Sequence, residues 1–214
     1  MKIVKIKKKI FFSEISKEVI NIFNYKKKII NIFLTGGVSA KNLYKSISKN
    51  SNKINIFSKV NIFQTDERIY ERKQNKNSEN ISKNLINKIK NKKMNFFPMK
   101  VNSNKFINKS TYYNCFENHM IDLIVLTLGN DGHIASLSSE DSNIYSNKKI
   151  CYTKYNSKLI NRLSIGPKFL TKARKIYVIS NGKKKIEMYK ILENQNKYYK
   201  KINKILNKAK FFID

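Results

Sequence analysis

Glycine is scarce in this chain, and most of it stands where an apolar run ends. The 214 residues contain six glycines, where ordinary usage of about 7% would give roughly fifteen. Five of the six follow three apolar runs: Gly36 and Gly37 after residues 29–34, Gly129 and Gly132 after 121–128, and Gly182 after 176–180. Each run is a candidate buried strand that turns towards a candidate helix. Ligands bind at such carboxyl ends of strands in open α/β sheets, so a site is expected at these turns.

Strand and helix candidates alternate along the chain. A first strand is predicted over residues 4–12, followed by a helix over 13–25 with Ser13 at its N-cap. A short helix is expected at 112–120. The alternation predicts an α/β fold with a mostly parallel sheet that helices cover on both faces. No linker or internal repeat divides the sequence, so we expect a single domain over residues 1–214.

The charge of the chain is strongly positive, with a formal net charge of +31 at pH 7. Of the 45 basic residues only four are arginine, and the lysines are scattered along the sequence. A nucleic-acid interface is expected to favour arginine, because its guanidinium group makes bidentate contacts. The abundance of Lys, Asn, Ile, Tyr and Phe, whose codons are A/T-rich, indicates compositional drift instead. We therefore expect no nucleic-acid partner, although the positive field attracts small anionic substrates.

The cysteines and the apolar runs bear on location. Cys115 and Cys151 lie far apart without metal-ligand spacing, which is typical of reduced thiols in a cytosolic protein. The basic N-terminus has no apolar stretch of secretory length, and no run is long enough to span a bilayer. The sequence therefore predicts a cytoplasmic protein with no metal site and no membrane partner.

The first glycine turn joins a strand to a helix at Gly36 and Gly37. Backbone N–H groups at a helix N-terminus bind phosphate, and glycine allows the ligand to approach the backbone closely. Ser39 is a candidate N-cap and a further candidate donor to an anion. A tight turn with an ordinary cap explains the same residues, so this segment alone leaves both interpretations open.

Charged residues follow the next strand, as Asp66, Glu67 and Arg68. One interpretation is a solvated strand end. However, Arg68 is one of four arginines in a chain whose default cation is lysine, which favours a need for guanidinium geometry towards a carboxylate or a phosphate. Arg162 opens a later apolar run and Lys185 follows the last glycine turn. Each of these two cations is either a ligand contact or a surface charge.

Residues 129–137 carry the strongest chemical signal. They place Asp131 and His133 in a glycine-bracketed turn after a buried strand, in a chain with only two histidines. A neutral imidazole at a strand end is suited to take a proton from water, and Asp131 is placed to orient the ring or to contact a substrate. The other interpretation is a capped turn with a hydrogen-bonded histidine. The second histidine, His119, is expected to be structural or exposed.

Taken in order, these segments resemble the 6-phosphogluconolactonase family, within the larger group that also contains glucosamine-6-phosphate deaminases. The family pattern is L-x-G-G-S-T-P, then D-E-R, G-P-D-G-H-T-A-S-L, R-I-T-L and G-x-x-K. Its counterparts here are residues 34–40, 66–68, 129–137, 162–165 and 182–185, and residues 211–214 look like the closing strand of the family. Val38 and Ala40 replace the serine and proline of the first segment, which removes one phosphate donor.

The resemblance also separates two activities. The deaminases look like D-G-H-I-A-F-N-E. The glutamate of this pattern stands five residues past the histidine, and it belongs to the ring-opening machinery. Ser138 stands in that position here, and Ser136-Leu137 is the lactonase form. Arg68 also matches the lactonase D-E-R.

The resemblance implies a Rossmann-like three-layer α/β/α fold and hydrolysis of 6-phospho-D-glucono-1,5-lactone to 6-phosphogluconate, in the oxidative pentose phosphate pathway, without a cofactor. It implies that His133 activates the attacking water with Asp131 or Asp66 as its partner, and that Asp66 contacts sugar hydroxyls. The implied phosphate contacts are Gly36, Gly37, Ser39, Arg68, Arg162 and Lys185. A monomer or weak homodimer that binds a small sugar phosphate is expected. The alternatives are a deaminase-like sugar-phosphate enzyme and a non-enzymatic polyanion-binding protein.

Overall fold

The computed structural model of the protein describes residues 1–69, 76–89, 91–101, 112, 120–155, 160–194 and 197–214. The strands within them are β1 (Lys2–Lys5), β2 (Ile29–Leu34), β3 (Lys59–Gln64), β4 (Asp66–Arg68), β5 (Met94–Phe97), β6 (Leu123–Thr127), β7 (Ile150–Tyr155), β8 (Ile160–Ile165), β9 (Lys175–Ser180) and β10 (Lys210–Ile213). Seven of these strands form one parallel sheet in the order β1-β10-β9-β6-β2-β3-β5. The other three form an antiparallel sheet in the order β4-β8-β7.

Helices cover both faces of the large sheet. They are α1 (Phe11–Phe23), α2 (Gly37–Lys49), α3 (Asn77–Ile81, which continues through a π-helical turn at Ser82–Ile86 and a last turn at Asn87–Ile89), α4 (Pro167–Lys172), α5 (Lys183–Glu193) and α6 (Lys200–Leu206). The first three helices pack into one hydrophobic cluster and the last three into another. The predicted α/β fold, with three layers and a mostly parallel sheet, is confirmed.

Alternation along the central strands explains the two clusters. Ile32 and Leu34 of β2 pack into one cluster, while Phe33, between them, packs into the other. Successive strand residues point to opposite faces of a sheet, and all three side chains are at most 1% exposed. A strand that is apolar on both faces is typical of a parallel sheet between two helical layers.

The second sheet lies at the carboxyl end of β3. Only Thr65 separates β3 from β4, and the Ile165 N–H at the end of β8 donates to the Thr65 carbonyl oxygen at 2.8 Å. Strand β4 pairs with β8 so that Arg68 lies opposite Arg162. The second sheet thereby brings two arginines that are distant in sequence to the edge where β2 and β6 also end.

The structure corrects the predicted start of the chain. The first strand covers Lys2–Lys5 and shares only residues 4 and 5 with the predicted range of 4–12, and α1 already begins at Phe11. Ser13 is therefore not the N-cap. It lies inside α1, where its hydroxyl donates to the carbonyl oxygen of Ile10 at 2.8 Å. The apolar residues from Phe11 onwards recur at helical spacing, so their burial favours a helix over an extended edge strand.

Some predicted features fall outside the described residues. Most of the helix expected at 112–120 does so, together with His119 and Cys115. Cys151 is described, and it is buried in β7. Across the part of the chain that the structure describes, no helix combines the length and apolar character needed to cross a membrane.

Candidate active site

A cavity of about 330 Å³ opens at the carboxyl ends of β2, β3 and β6, beside the second sheet. Seven of the residues predicted for the site line it: Gly36, Gly37, Asp66, Arg68, His133, Arg162 and Lys185. The other two, Ser39 and Asp131, each hydrogen-bond to one of these lining residues. The fold therefore gathers the predicted residues from most of the length of the chain into one place.

The histidine turn, residues 128–137, begins where β6 ends. The Gly129 N–H donates to the His133 carbonyl oxygen at 2.9 Å, and the Gly132 N–H donates to the Gly129 carbonyl oxygen at 3.1 Å. Gly132 has a φ of +83°, a value that residues with a side chain rarely adopt. A Cβ on Gly129 would overlap the His133 ring. Both glycines therefore allow the imidazole to lie against its own turn.

His133 is paired with Asp131. The Nδ1 atom of the imidazole lies 2.6 Å from Asp131 Oδ1, and the two side chains are 17% and 43% exposed. Burial opposes ionisation of Asp131, but the hydrogen bond and the charge of His133 outweigh it and lower the pKa of the carboxyl group below its usual value. The carboxylate holds the proton of the ring on Nδ1, which makes Nε2 the proton acceptor. Of the two candidate partners, Asp131 and Asp66, it is Asp131 that lies at hydrogen-bond distance from Nδ1.

The second sheet places Arg68 and Arg162, here called the arginine pair, side by side on the cavity wall. They are directly opposite in the antiparallel register of β4 and β8, so their side chains emerge on the same face. Arg162 is 11% exposed, and its Nη1 lies 3.4 Å from Asp66 Oδ2. Two guanidinium groups on one face concentrate positive charge on this wall of the cavity. The arginine pair is therefore suited to hold an anion in the cavity.

A third cation, Lys185, reaches the cavity from the first turn of α5. Its Nζ donates to Ser39 Oγ at 3.2 Å, and Ser39 donates in turn to Asn181 Oδ1 at 2.5 Å. Burial lowers the pKa of the Lys185 ammonium group. Beside it, α2 begins after Gly36, and the first N–H groups of a helix have no partner within the helix. This wall therefore offers one charge and several backbone donors.

Sequence reasoning missed three residues that build the site: Glu67, Asn77 and Ser136. Glu67 is fully buried, and its Oε1 accepts the N–H groups of Arg68 and Asn77, each at 2.8 Å. It therefore caps the start of α3 and fixes the backbone that carries Arg68. Asn77 and Ser136 both donate from their side chains to Asp66. The D-E-R segment gave no signal for these contacts, because a charged strand end is equally compatible with exposure to solvent.

The ionisable groups of the site are arranged for anions. Among the residues that the structure describes, no group of three or more His, Cys, Asp or Glu side chains is placed to hold a metal ion. Within the same described residues, the cations that line the cavity are Arg68, Arg162 and Lys185. The site therefore combines a proton acceptor with positive charge in a volume suited to a small molecule.

The chain belongs to the family of glucosamine-6-phosphate isomerases and 6-phosphogluconolactonases, whose model matches residues 11–203. The family predicted from the motifs is thereby confirmed. A search among curated proteins finds no match to the sequence.

Solved structures of the same fold include enzymes of both activities. A 6-phosphogluconolactonase from Shewanella baltica has a TM-score of 0.81 and 17% identity, with coverage of 100% of this chain and 98% of the other. A 6-phosphogluconolactonase from Thermotoga maritima has a TM-score of 0.79 and 17% identity, with coverage of 99% and 98%. A monomeric glucosamine-6-phosphate deaminase has a TM-score of 0.81 and 15% identity, with coverage of 100% and 97%. At these identities the likeness establishes the fold, and the choice of activity depends on the site.

Proposed function

We propose that this protein hydrolyses 6-phospho-D-glucono-1,5-lactone to 6-phosphogluconate, the second step of the oxidative pentose phosphate pathway. The observation that carries the proposal is one cavity lined by both a carboxylate-held histidine and the arginine pair. The substrate has the matching chemistry, with an electrophilic lactone carbonyl for an activated water and a phosphate group for the cations. Family membership, and the 6-phosphogluconolactonases among the structures of the same fold, support the same reaction.

In this proposal His133 is the general base. Its Nε2 accepts a proton from a water molecule, whose oxygen attacks the lactone carbonyl carbon, while Nδ1–H donates to Asp131 and the carboxylate stabilises the imidazolium ion. The bond between that carbon and the ring oxygen then breaks, and the imidazolium returns the proton to the ring oxygen. General-base catalysis of this kind contributes about 10²–10⁴-fold in rate. Water and lactone alone balance the reaction.

The phosphate is assigned to the cationic part of the cavity. Arg68 and Arg162 supply planar sets of donors that match phosphate oxygens, and Lys185 adds a point charge. Backbone N–H groups of the glycine turn and of the first turn of α2 bind the remaining oxygens. Ser39 acts by placing Lys185, because its hydroxyl accepts from Lys185 Nζ.

Two serines favour the lactonase over the deaminase. Ser138 stands where the deaminase pattern has its glutamate. Ser136 stands where that pattern has phenylalanine, and its hydroxyl donates to Asp66 Oδ2 at 2.9 Å. A phenylalanine has no group to donate this hydrogen bond, so the wall of the cavity is built differently here.

We further propose that the enzyme acts in the cytoplasm on a dissolved sugar phosphate, as a monomer or weak homodimer without nucleic-acid or membrane partners. The support for a small dissolved ligand is that Arg68, Arg162 and Lys185 line one cavity of small-molecule size. Sedimentation at several protein concentrations measures the oligomeric state, and a stable larger assembly would contradict this part of the proposal. Salt-dependent binding to RNA at physiological ionic strength would contradict the assignment of the cations to a small anion.

The direct test of activity follows acid release from freshly generated 6-phosphogluconolactone. The enzyme-free reaction gives the spontaneous background, which is subtracted. Saturable acid release above this background supports the proposal, and a rate equal to the background contradicts it. The same preparation is assayed for ammonia release from glucosamine 6-phosphate. Ammonia release without lactone hydrolysis would assign the site to the deaminase reaction.

A further inference from the structure

Asp66 is the most enclosed ionisable side chain that lines the cavity, with 2% of its surface exposed. Five side-chain donors surround its carboxylate. They are Thr65 Oγ1 at 2.9 Å and Thr35 Oγ1 at 3.5 Å to Oδ1, and Ser136 Oγ at 2.9 Å, Asn77 Nδ2 at 3.1 Å and Arg162 Nη1 at 3.4 Å to Oδ2. A carboxylate has about four lone-pair sites. The protein's own donors therefore surround both oxygens from which a sugar hydroxyl would otherwise be bound.

The donors come from separate walls of the cavity. Thr35 belongs to the glycine turn after β2, Asn77 begins α3, Ser136 belongs to the histidine turn, and Arg162 lies on β8. The Asn77 side chain also occupies the space where a Cβ on residue 36 would lie. One carboxylate thus joins the segment that carries the proposed base to the strand that carries a proposed phosphate ligand.

We propose that Asp66 is a positioning residue, which sets the spacing between the histidine turn and Arg162 and does not itself contact the sugar. The inference deepens the proposed function and rests on it. It replaces the expectation that Asp66 contacts sugar hydroxyls. A carboxylate at this position binds the surrounding donors more strongly than a neutral amide does, because charge-assisted hydrogen bonds are stronger than neutral ones.

The Asp66→Asn variant keeps the shape of the side chain and removes its charge. Its amide nitrogen faces donors that it cannot accept from, so Arg162 and the histidine turn are expected to shift apart. We expect about a 10-fold loss of affinity for inorganic phosphate, the size typical of one charge-assisted hydrogen bond, together with a lower kcat for the lactone. Inorganic phosphate is the probe because its binding is measured without turnover.

A double-mutant cycle with Arg162→Ala separates positioning from direct contact. If Asp66 acts through Arg162, Asp66→Asn weakens phosphate binding by less than about 2-fold once Arg162 is already alanine, because coupled residues are not additive. A full 10-fold loss in both backgrounds would overturn the proposal. Calorimetry measures phosphate binding without turnover. The cycle therefore tests the positioning role of Asp66 even if the protein proves to catalyse a different reaction.

Ser136→Ala tests the contact between Asp66 and the histidine turn. Removing one donor from the histidine turn is expected to lower kcat several-fold, with phosphate affinity within about 2-fold of wild type, because only the base is displaced. This smaller change also covers the case in which Asp66→Asn fails to fold. An unchanged kcat in Ser136→Ala would overturn the proposal.

Asp122→Asn is the matched control. Asp122 is another buried carboxylate, 6% exposed, and it lies at the amino end of β6, where it pairs with Lys27. Its loss is expected to lower the melting temperature at least as much as Asp66→Asn does, with phosphate affinity unchanged. If Asp122→Asn also weakened phosphate binding, general destabilisation would explain the effect of Asp66→Asn, and the proposal would be overturned.

Discussion

Asp66 and Asp122 are buried carboxylates that lie near opposite edges of the large sheet. Asp66 is 2% exposed at the carboxyl ends of the strands, and Asp122 is 6% exposed at the amino ends. Asp122 accepts from Lys27 Nζ at 2.5 Å and from the Asn31 N–H at 3.0 Å, so it fastens the segments that lead into β2 and β6. Asp66 instead accepts hydroxyl, amide and guanidinium donors, and its partner Arg162 lines the cavity.

The exposure of the cations distinguishes the two ends. At Asp122 the neighbouring cations are well solvated, with side chains 34% exposed for Lys27 and 55% for Arg174. At Asp66 the Arg162 side chain is only 11% exposed. A charge that is removed from water interacts more strongly with a bound ion. Both buried carboxylates therefore hold segments of the backbone together. The sparsely solvated cation beside the cavity, Arg162, distinguishes the binding site from the opposite edge of the sheet.

The largest effect is expected from His133→Ala, at the carboxyl end. Loss of the general base should lower kcat for lactone hydrolysis by about 10²–10⁴-fold, while the thermal unfolding curve stays close to that of the wild type. Background-subtracted acid release measures the rate. Wild-type turnover in this variant would remove His133 from the mechanism.

Gly129→Ala tests how closely the histidine turn is built. The new Cβ would overlap the His133 ring, and a misplacement of about 1 Å at a reacting group costs up to about 10²-fold in rate. The control is Gly182→Ala, where the backbone is strained by a φ of +87° but the Cβ meets no atom within 4 Å. We expect a large fall in kcat for the first variant only. Equal losses would mean that backbone strain, and not the ring position, controls the rate.

The two ends of the sheet are compared directly by Arg162→Ala and Arg174→Ala. Arg162→Ala should weaken 6-phosphogluconate binding by about 10–100-fold, because hydrogen bonds to charged groups contribute about 1.5–3 kcal/mol. Arg174→Ala should leave affinity unchanged and alter stability by no more than about 0.5 kcal/mol, as exposed substitutions usually do. Calorimetric titration measures the affinity. Similar losses in both variants would indicate that net charge, and not the cavity, attracts the anion.

The smallest effect is a pH dependence at Lys185. Burial penalises its charged form and lowers its pKa, so the ammonium group is present below that pKa and is lost as the pH rises through it. Affinity for 6-phosphogluconate should therefore fall by about five-fold as the pH rises, since a unit charge pair is worth roughly 1 kcal/mol in a polar setting. Because the pKa of Lys185 is lowered, this fall should occur at a lower pH than the one at which exposed lysines lose their protons. Lys185→Arg should abolish this fall, because arginine stays protonated. Persistence of the fall in Lys185→Arg would assign it to another group.

The large sheet and the histidine turn could be predicted because their signals are local. Apolar runs such as residues 121–128 predict buried strands, and Gly129, Gly132, His133 and Asp131 lie within one short segment. The start of α1 could not be predicted, because a short apolar run such as the one near Phe11 is compatible with a strand or a helix.

The rest of the site depends on contacts between distant segments. The antiparallel pairing that places Arg68 opposite Arg162 is visible only once β4 and β8 meet. The contact of Ser136 with Asp66 joins residues 70 positions apart. Glu67 caps a helix that starts ten residues later. No local pattern encodes such pairings, which arise from the packing of the whole chain.

The arrangement of substrate groups in the cavity is tested most directly by an experimental structure with bound 6-phosphogluconate. We expect the phosphate to lie between the arginine pair and Lys185. We also expect the carboxylate to lie within hydrogen-bond reach of His133 Nε2, about 2.6–3.2 Å directly or through one water molecule. A phosphate bound elsewhere, or a carboxylate beyond a water-bridged distance from the imidazole, would contradict this arrangement.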